Sequence, residues 1–379
     1  MSARFDSKSP APAGTIDSAS NGAATGTAAS AGANASAIMY ATPELVISSS
    51  APACSPQGRK RVVVLATGGT IAGVGVAGKS VGYESGQLTV EDLLSEVPEI
   101  AQVADIEAYQ VCNVNSDDMT ASLWLELARE IEALSAREDV TGFVVTHGTD
   151  TMDETAYFLN LVLDTRKPVI LTGSMRPATA TSADGPMNLY QSVVAAAAPE
   201  SVDKGVMVCF SGCLYNARTV QKTNTHSVTT MSGGESGSCA VIRDDEVFYS
   251  SRTTKAHTAG TAFHVGDFTE LPRVSVLYFN VDADPRLVQA AAAISDGLVI
   301  AGAGAGEFSK LFAAQIAQVE IPVVVSSRVG TGVIMPASML VPHCIAASDL
   351  PPQKAAILLR LALAHGASSK EIARMFRAY

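Results

Sequence analysis

Short apolar runs alternate with helical patterns from Arg61 onward, and this alternation constrains the fold more than any other feature of the chain. Seven runs are typical of buried strands, at 61–66, 142–146, 168–172, 205–210, 275–280, 297–301 and 322–326. Eight segments favour helices, at 90–97, 121–135, 153–164, 186–198, 285–294, 307–318, 352–364 and 370–377. Since strand–helix–strand units form right-handed crossovers, the pattern predicts an α/β protein with a mostly parallel sheet.

Two shifts in composition divide the chain. Residues 1–58 are rich in Ala, Ser, Gly, Thr and Pro, and such a segment cannot bury enough apolar surface to offset its ordering entropy. We therefore predict a disordered low-complexity tail. The polar stretch 251–272 breaks the strand–helix rhythm, which predicts a linker between an N-terminal domain at 59–250 and a C-terminal α/β domain at 273–379.

Composition narrows the class of protein. The formal charge of −11 and a pI near 5.0 argue against a nucleic-acid partner. No apolar run is long enough to cross a bilayer, so no membrane association is expected. The six cysteines lack Cys-x-x-Cys spacing and are predicted to be reduced in a cytoplasmic protein, and the six histidines show no metal-ligand spacing.

The first strand ends in a turn rich in glycine and threonine, Thr67-Gly68-Gly69-Thr70. Glycines allow a sharp turn and a close approach to a ligand, and open α/β sheets bind ligands at the carboxyl ends of their strands. A threonine hydroxyl there becomes a nucleophile if a neighbour removes its proton. The alternative is a glycine turn whose hydroxyls only satisfy local backbone groups.

A second strand, at 142–146, leads into a similar turn in which the acid Asp150 directly follows Thr149. His147 lies in the same segment. We interpret it as a hydrogen-bonded structural histidine rather than a base.

These two segments resemble the bacterial-type L-asparaginase/glutaminase family, together with GSMRP at 173–177, SADGP at 182–186 and QKTNT at 221–225. The resemblance runs in order from about Arg61 to the C-terminus. It implies a larger N-terminal domain with a mostly parallel, flavodoxin-like sheet and a smaller C-terminal α/β domain. It also implies a homotetramer built as a dimer of dimers.

The resemblance assigns catalytic roles to five residues. Thr70 would attack the side-chain carboxamide to give an acyl-enzyme and ammonia, and Tyr83 would close over Thr70 and relay or stabilise its proton. Thr149, Asp150 and Lys222 would form a second cluster in which the lysine acts as a base. The reaction would need neither a metal nor an organic cofactor.

The resemblance also implies how the substrate is held, and here the sequence departs from the family pattern. Ser116 would bind the α-carboxylate, and Asp150, beside Thr149, would pair with the α-ammonium. The residue after the serine is usually Gln or Glu, whereas here it is Asp117, one methylene shorter. An acidic position that reaches into the neighbouring subunit's site falls near Met339, where this chain has no acid.

The predicted function is that of a cytoplasmic L-asparaginase, which converts L-asparagine to L-aspartate and ammonia. One alternative is a glutaminase-asparaginase of broader specificity. Another is a catalytically silent homologue that binds amino acids, favoured by Asp117 and by the missing acid.

Two glycine-rich motifs suggest nucleotide binding but lack its context. GVGVAGKS at 73–80 matches the phosphate-loop pattern, yet the strand ends several residues earlier and further glycines follow where a helix should begin. The family resemblance implies a mobile lid instead. GAGAG at 302–306 lacks the full dinucleotide-binding spacing and is predicted to be a tight turn.

Overall fold

The computed structural model describes residues 44–48, 60–76 and 86–379. The prediction for Tyr83, the end of the phosphate-loop-like motif and most of the predicted tail lie outside these residues. The strands in the described part are β1 Glu44–Ser48, β2 Arg61–Gly68, β3 Asp105–Val114, β4 Val140–Thr146, β5 Val169–Thr172, β6 Val206–Phe210, β7 Cys213–Asn216, β8 Gln221–Lys222, β9 Met231–Ser232, β10 Ala240–Arg243, β11 Glu246–Tyr249, β12 Val274–Tyr278, β13 Gly297–Gly302, β14 Val323–Ser327 and β15 Ile345–Ala346. The α-helices are α1 Val90–Ser95, α2 Ile100–Val103, α3 Ala121–Ser135, α4 Met152–Val162, α5 Gly185–Ala197, α6 Arg286–Ala292, α7 Lys310–Ile316, α8 Pro352–Ala364 and α9 Ser369–Ala378.

The larger sheet has nine strands in the order β1-β3-β2-β4-β5-β6-β7-β10-β11. Its central strands β3, β2, β4, β5 and β6 are parallel, and the outer strands pair in antiparallel fashion. Numbered along the chain, the parallel strands follow the flavodoxin-like order 2-1-3-4-5. The strand order reverses between β2 and β4, so the chain passes from β2 to α1 on one face of the sheet and from β4 to α4 on the other, and a crevice opens at the carboxyl edge.

Strand β2 lies inside the large sheet, between β3 and β4, because its side chains can be buried on both faces. Val63 and Leu65 pack in the core that contains α3 and α4, whereas Val62 and Val64 pack on the opposite face against α5. All four are fully buried. Each such side chain contributes about 1.5–3 kcal/mol of burial free energy, which fixes the position of the turn that follows β2.

The smaller sheet is entirely parallel, in the order β12-β13-β14-β15. Val299 and Val324 from this sheet belong to the same core as α4 and α8, so one hydrophobic core joins the two sheets. The described residues from Glu44 onward accordingly belong to one compact unit. The predicted α/β architecture, with a large mostly parallel sheet and a smaller C-terminal one, is confirmed. Among the described helices, none combines the length and the apolar content that a membrane crossing requires.

All seven predicted strands and eight predicted helices are found, but one prediction needs correction. Residues Glu44–Ser48, inside the segment predicted to be disordered, form β1 and pair with the edge of β3. Their sequence contains Leu45, Val46 and Ile47, a short run with strand propensity that adds to an open sheet edge. The stretch 251–272 does connect the last strand of the large sheet to β12, and it buries Phe263 completely despite its polar composition.

Candidate active site

The turn after β2 makes a close approach to the turn after β4. Gly68 and Gly69 have φ of 102° and 87°, in the left-handed region that favours glycine. A Cβ atom on Gly69 would lie 2.3 Å from the backbone nitrogen of Gly148, so only glycine lets the two turns meet. The chain then enters a 3-10 turn at Thr70–Ala72.

The two hydroxyls of this turn differ in their surroundings. Thr67 is buried, and its Oγ1 donates to the carbonyl of Thr146 at 2.8 Å, which ties β2 to β4. Thr70 is nearly buried but lines an open cleft. Thr67 is therefore a structural hydroxyl, whereas Thr70 is the one that faces a ligand-sized space.

A buried hydrogen-bonded chain supports the turn after β4. The indole Nε1 of Trp124 donates to Thr155 Oγ1 at 2.8 Å, and Thr155 Oγ1 lies 2.9 Å from His147 Nε2. Because the indole can only donate, Thr155 uses its own proton toward Nε2, and His147 Nδ1 then donates to the carbonyl of Gly148 at 2.7 Å. Burial lowers the pKa of His147 to about 4, so this histidine is neutral near pH 7. Its interpretation as a structural residue is confirmed.

Lys222 joins Thr149 and Asp150 in one hydrogen-bonded cluster. Its Nζ donates to Thr149 Oγ1 at 2.9 Å and to Asp150 Oδ1 at 2.6 Å. The lysine side chain is 16% exposed and the aspartate side chain 66% exposed, so the cluster runs from the protein interior to its surface. Lys222 lies on the two-residue strand β8, which pairs with β9.

Two hydrogen bonds hold the turn after β3 against the turn after β4. Ser116, at the start of the 3-10 turn Ser116–Asp118, accepts the backbone N–H of Asp150 on Oγ at 3.2 Å. Thr151 Oγ1 donates to the Ser116 carbonyl at 2.6 Å. The sequence interpretation gave Thr151 no role, although it directly follows the Thr149-Asp150 pair in the same segment.

These turns enclose a polar cleft of about 220 Å³ at the point where the strand order of the large sheet reverses. It is lined by Gly69, Thr70, Asn115, Ser116, Asp117, Gly148 and Asp150. Of the predicted site residues, four thus lie around one cleft, and Thr149 and Lys222 join them through the contacts to Asp150.

The loop at 173–177 orients the Thr149 hydroxyl, a role that the sequence did not reveal. The Asp184 carboxylate accepts the backbone N–H groups of Met175 and Arg176 at 3.0 and 2.9 Å. Thr149 Oγ1 donates to Met175 Sδ at 3.5 Å while it accepts from Lys222. The motifs at 173–177 and 182–186 were singled out from the sequence, and the structure shows that the second holds the first.

Among residues 60–76 and 86–379, His, Cys, Asp and Glu side chains form no cluster suited to a metal ion. The side chains that line or adjoin the cleft carry hydroxyls, carboxylates and the Lys222 amine, and the turns add backbone amides. That set can activate a hydroxyl, hold an amino acid by its charged groups and stabilise an oxyanion.

Two family models together match residues 61–376. "Asparaginase, N-terminal" matches residues 61–274, and "Glutaminase/Asparaginase C-terminal domain" matches residues 273–376. L-asparaginase 2 of Bacillus subtilis is 40% identical over 337 residues, covering 87% of this chain and 90% of the relative. Glutaminase-asparaginase of Acinetobacter glutaminasificans is 37% identical, covering 85% of this chain and all of the relative.

A solved structure has the same fold. The crystal structure of a probable cytoplasmic L-asparaginase from Campylobacter jejuni superposes with a TM-score of 0.82 at 40% identity, covering 85% of this chain and all of that one. The sequence resemblance is thus confirmed, and the chain belongs to the asparaginase/glutaminase family.

Proposed function

We propose that this protein is an L-asparaginase, which hydrolyses L-asparagine to L-aspartate and ammonia through an acyl-enzyme on Thr70. One observation carries the proposal. Thr70, Ser116, Asp117 and Asp150 line a single cleft at the strand-order reversal, and Lys222 is hydrogen-bonded to both Thr149 and Asp150. Relatives named L-asparaginase at about 40% identity support the same reaction.

In the first step, the Thr70 hydroxyl attacks the carboxamide carbon of the substrate. Its proton moves to the leaving nitrogen, which departs as ammonia, and an ester joins Thr70 Oγ1 to the aspartyl group. Tyr83, whose role stays a prediction, would receive or relay this proton. Backbone amides in the glycine turns after β2 and β4 are suited to stabilise the oxyanion that forms on the carbonyl.

In the second step, water hydrolyses the ester and restores the Thr70 hydroxyl. Thr149 is the side chain best arranged to orient that water, since Lys222 and Met175 fix its hydroxyl on two sides. One proton of this water ends on Thr70 Oγ1, and Lys222 would relay it through Thr149, while Asp150 holds the amino group of Lys222 in place. The step consumes one water and releases L-aspartate.

Substrate recognition uses the turn after β3 and Asp150. Ser116 would hold the α-carboxylate, and the exposed carboxylates of Asp117 and Asp150 would face the α-ammonium across the cleft. The second candidate is a glutaminase-asparaginase of broader specificity. It is favoured by the 37% identical glutaminase-asparaginase.

A homotetramer, built as a dimer of dimers, is part of the proposal. Val276, Tyr278 and Val329 are exposed beside Gln221, the neighbour of Lys222, and they line an apolar depression of about 290 Å³. An apolar surface so close to the site suits a contact with a second subunit. Light scattering on the purified protein gives the molecular mass of the assembly and so tests whether it is a tetramer.

A cytoplasmic location is also part of the proposal. The five cysteines of the described residues are free thiols, which suits a reducing compartment. The solved relative is named cytoplasmic, whereas a 40% identical relative from Haemophilus influenzae is named periplasmic. Fractionation of the source cells distinguishes the two compartments.

The direct test is release of ammonia from L-asparagine by the purified protein, with no cofactor added and L-glutamine measured in parallel. The proposal expects turnover of asparagine that exceeds turnover of glutamine. Comparable turnover of both amides would favour the broader enzyme. Tight binding of asparagine without any ammonia would instead identify a silent amino-acid-binding protein.

A further inference from the structure

A buried lysine from the C-terminal part of the chain lies against the segment that leads to Lys222. Lys354, in the first turn of α8, is fully buried. Its Nζ donates to three backbone carbonyls, those of Ala217 at 2.7 Å, Arg218 at 3.2 Å and Val220 at 2.5 Å. Each of the three N–H groups of the ammonium thus donates to a backbone carbonyl within the segment 217–220.

A second side chain fixes the same four residues. Arg218 forms a two-pronged ion pair with Asp349, with both N–O distances 2.6 Å, and its Nε donates to the backbone oxygen of Tyr379 at 2.9 Å. The arginine side chain is buried, whereas that of Asp349 is 40% exposed, so the pair lies between the interior and the surface. We call Lys354 and the Arg218–Asp349 pair together the 217–220 anchor.

The 217–220 anchor is connected through the chain to both parts of the Thr149–Asp150–Lys222 cluster. Segment 217–220 links β7 to β8, and Lys222 follows Val220 by two residues. On its other side, Lys354 Nζ lies 5.8 Å from the ring centroid of Tyr157 in α4, the helix that begins two residues after Asp150. Gln353, next to Lys354, donates to the Asp153 carboxylate of the same helix at 3.2 Å.

We propose that the 217–220 anchor is a positioning device, through which residues of the C-terminal part set the place of Lys222 Nζ against Thr149 and Asp150. Strand β8 has only two residues, so its own pairing with β9 is too short to define that position. The segment before it is held instead by side chains from 349–354. This inference rests on the proposed function only where it concerns turnover, because the placement of Lys222 can be measured without any substrate.

The burial of Lys354 makes a substitution informative. Burial lowers the pKa of its amino group to about 8, so the charge is held there against a desolvation cost. Replacing it by methionine keeps most of the side-chain volume and removes that cost, but it leaves the three carbonyls without their donor, so some stability is lost as well. Lys354→Met therefore separates positioning from folding better than a truncation.

The experiment compares Lys354→Met and Asp349→Asn with the unmodified protein. Hydrogen exchange of the backbone amides at 217–222, and labelling of the Lys222 amine by a small acylating reagent, should both increase. For asparagine, we expect kcat to fall about ten- to a hundred-fold in Lys354→Met, as a displacement near 1 Å produces, with less loss in Asp349→Asn. KM should stay within about three-fold, because Ser116 and Asp117 lie on another loop.

Leu361→Ala is the matched control, since Leu361 is fully buried on the same helix. It should lower the melting temperature while leaving kcat and exchange at 217–222 nearly unchanged. Unchanged exchange and labelling in both anchor variants would overturn the inference, and so would unchanged kcat despite faster exchange. An equal loss of kcat in Leu361→Ala would also overturn it.

If Lys354→Met does not fold, Asp349→Asn alone decides. If the unmodified protein releases no ammonia, the proposed function fails while exchange and labelling still test the anchor.

Discussion

The turn after β2 and the turn after β13 look alike in sequence, since each follows a buried apolar strand with closely spaced glycines. Their surroundings differ. At the first, a Cβ on Gly69 would collide with Gly148 of another loop. At the second, a Cβ on Gly302 would collide only with Gly306 of the same turn, and a Cβ on Gly304 would meet nothing within 4 Å.

The sheets explain this difference. The turn after β2 lies where strand order reverses, so the loops after β2, β3 and β4 converge and bring hydroxyls and acids into one cleft. The four strands of the smaller sheet run in simple sequential order, and the turn after β13 closes on itself through a bridge between Ala303 and Glu307. Glycine content predicts a turn, whereas convergence with other polar turns makes a site.

The largest expected effect is at Thr70. Thr70→Ala should lower kcat roughly a thousand-fold or more, because it removes the group that forms the ester, and the fold should survive. Its control is Thr67→Val in the same turn, which removes one hydrogen bond to Thr146 and should cost about 0.5–1.5 kcal/mol of stability while most turnover remains. Steady-state kinetics and urea unfolding of both variants check this. Thr70→Ala with near-normal turnover would remove Thr70 from the mechanism.

A matched pair of glycine substitutions tests the comparison itself. Gly69→Ala forces a methyl group into the backbone at Gly148 and should cost about 3 kcal/mol of stability together with most activity. Gly304→Ala meets open space and should cost only about 1 kcal/mol, from its left-handed φ of 49°. Thermal unfolding and ammonia release measure both. Equal losses of stability and activity in the two variants would show that the two turns do not differ in how closely they pack against other loops.

The buried chain behind the turn after β4 makes stability depend on pH. As pH falls, the unfolded chain protonates His147 near 6.5, while the folded protein keeps it neutral down to about 4. The free energy of unfolding therefore decreases, by up to roughly 3 kcal/mol, as pH falls from about 6.5 to about 4. The partly buried acid Glu154, whose pKa is raised to about 7 chiefly by desolvation, acts with the opposite sign, since its contribution is lost as pH rises.

For this reason we compare the pH dependence of the free energy of unfolding in the unmodified protein with that in His147→Gln. Urea unfolding of both across the window isolates the histidine from Glu154. The variant should lack the part of the pH dependence that His147 contributes. Parallel curves for the two proteins would mean that His147 is not held neutral by burial.

The smallest effect concerns Asp117, the residue that departs from the family pattern. Lengthening it in Asp117→Glu, or neutralising and lengthening it in Asp117→Gln, should move the ratio of kcat/KM values toward glutamine. Discrimination between two substrates that differ by one methylene typically corresponds to a difference of about 1–3 kcal/mol in activation free energy. Asp118→Glu, an exposed neighbour in the same 3-10 turn that does not line the cleft, is the control. A ratio that stays within about two-fold in both Asp117 variants would show that Asp117 does not set specificity.

Elements whose burial is visible in a continuous apolar run, such as β2 and β4, could be predicted from the sequence. Strand β3 could not, because its run is interrupted by Glu107 and Gln110. Glu107 is nevertheless buried, since Arg137 of a later segment pairs with both of its carboxylate oxygens, at 2.7 and 3.0 Å. A local pattern cannot show a partner that lies 30 residues away.

The candidate site divides in the same way. The motifs around Thr70, Thr149 and Lys222 pointed to the cluster, because their residue types and order resemble the family. The separate roles of Thr67 and Thr70, and the hold of Asp184 on the loop at 173–177, depend on contacts between distant segments. Such contacts become visible only when the strands are placed side by side.

The measurement that tests the central claim most directly is the trapping of the acyl-enzyme. The protein is mixed with L-asparagine, quenched in acid within one turnover, digested and examined by mass spectrometry, with Thr70→Ala treated identically. We predict an ester-linked aspartyl group on the peptide that contains Thr70, and no such group in the variant. An aspartyl group on the peptide of Thr149, or anywhere else in the chain while Thr70 stays unmodified, would contradict the assignment of Thr70 as the nucleophile.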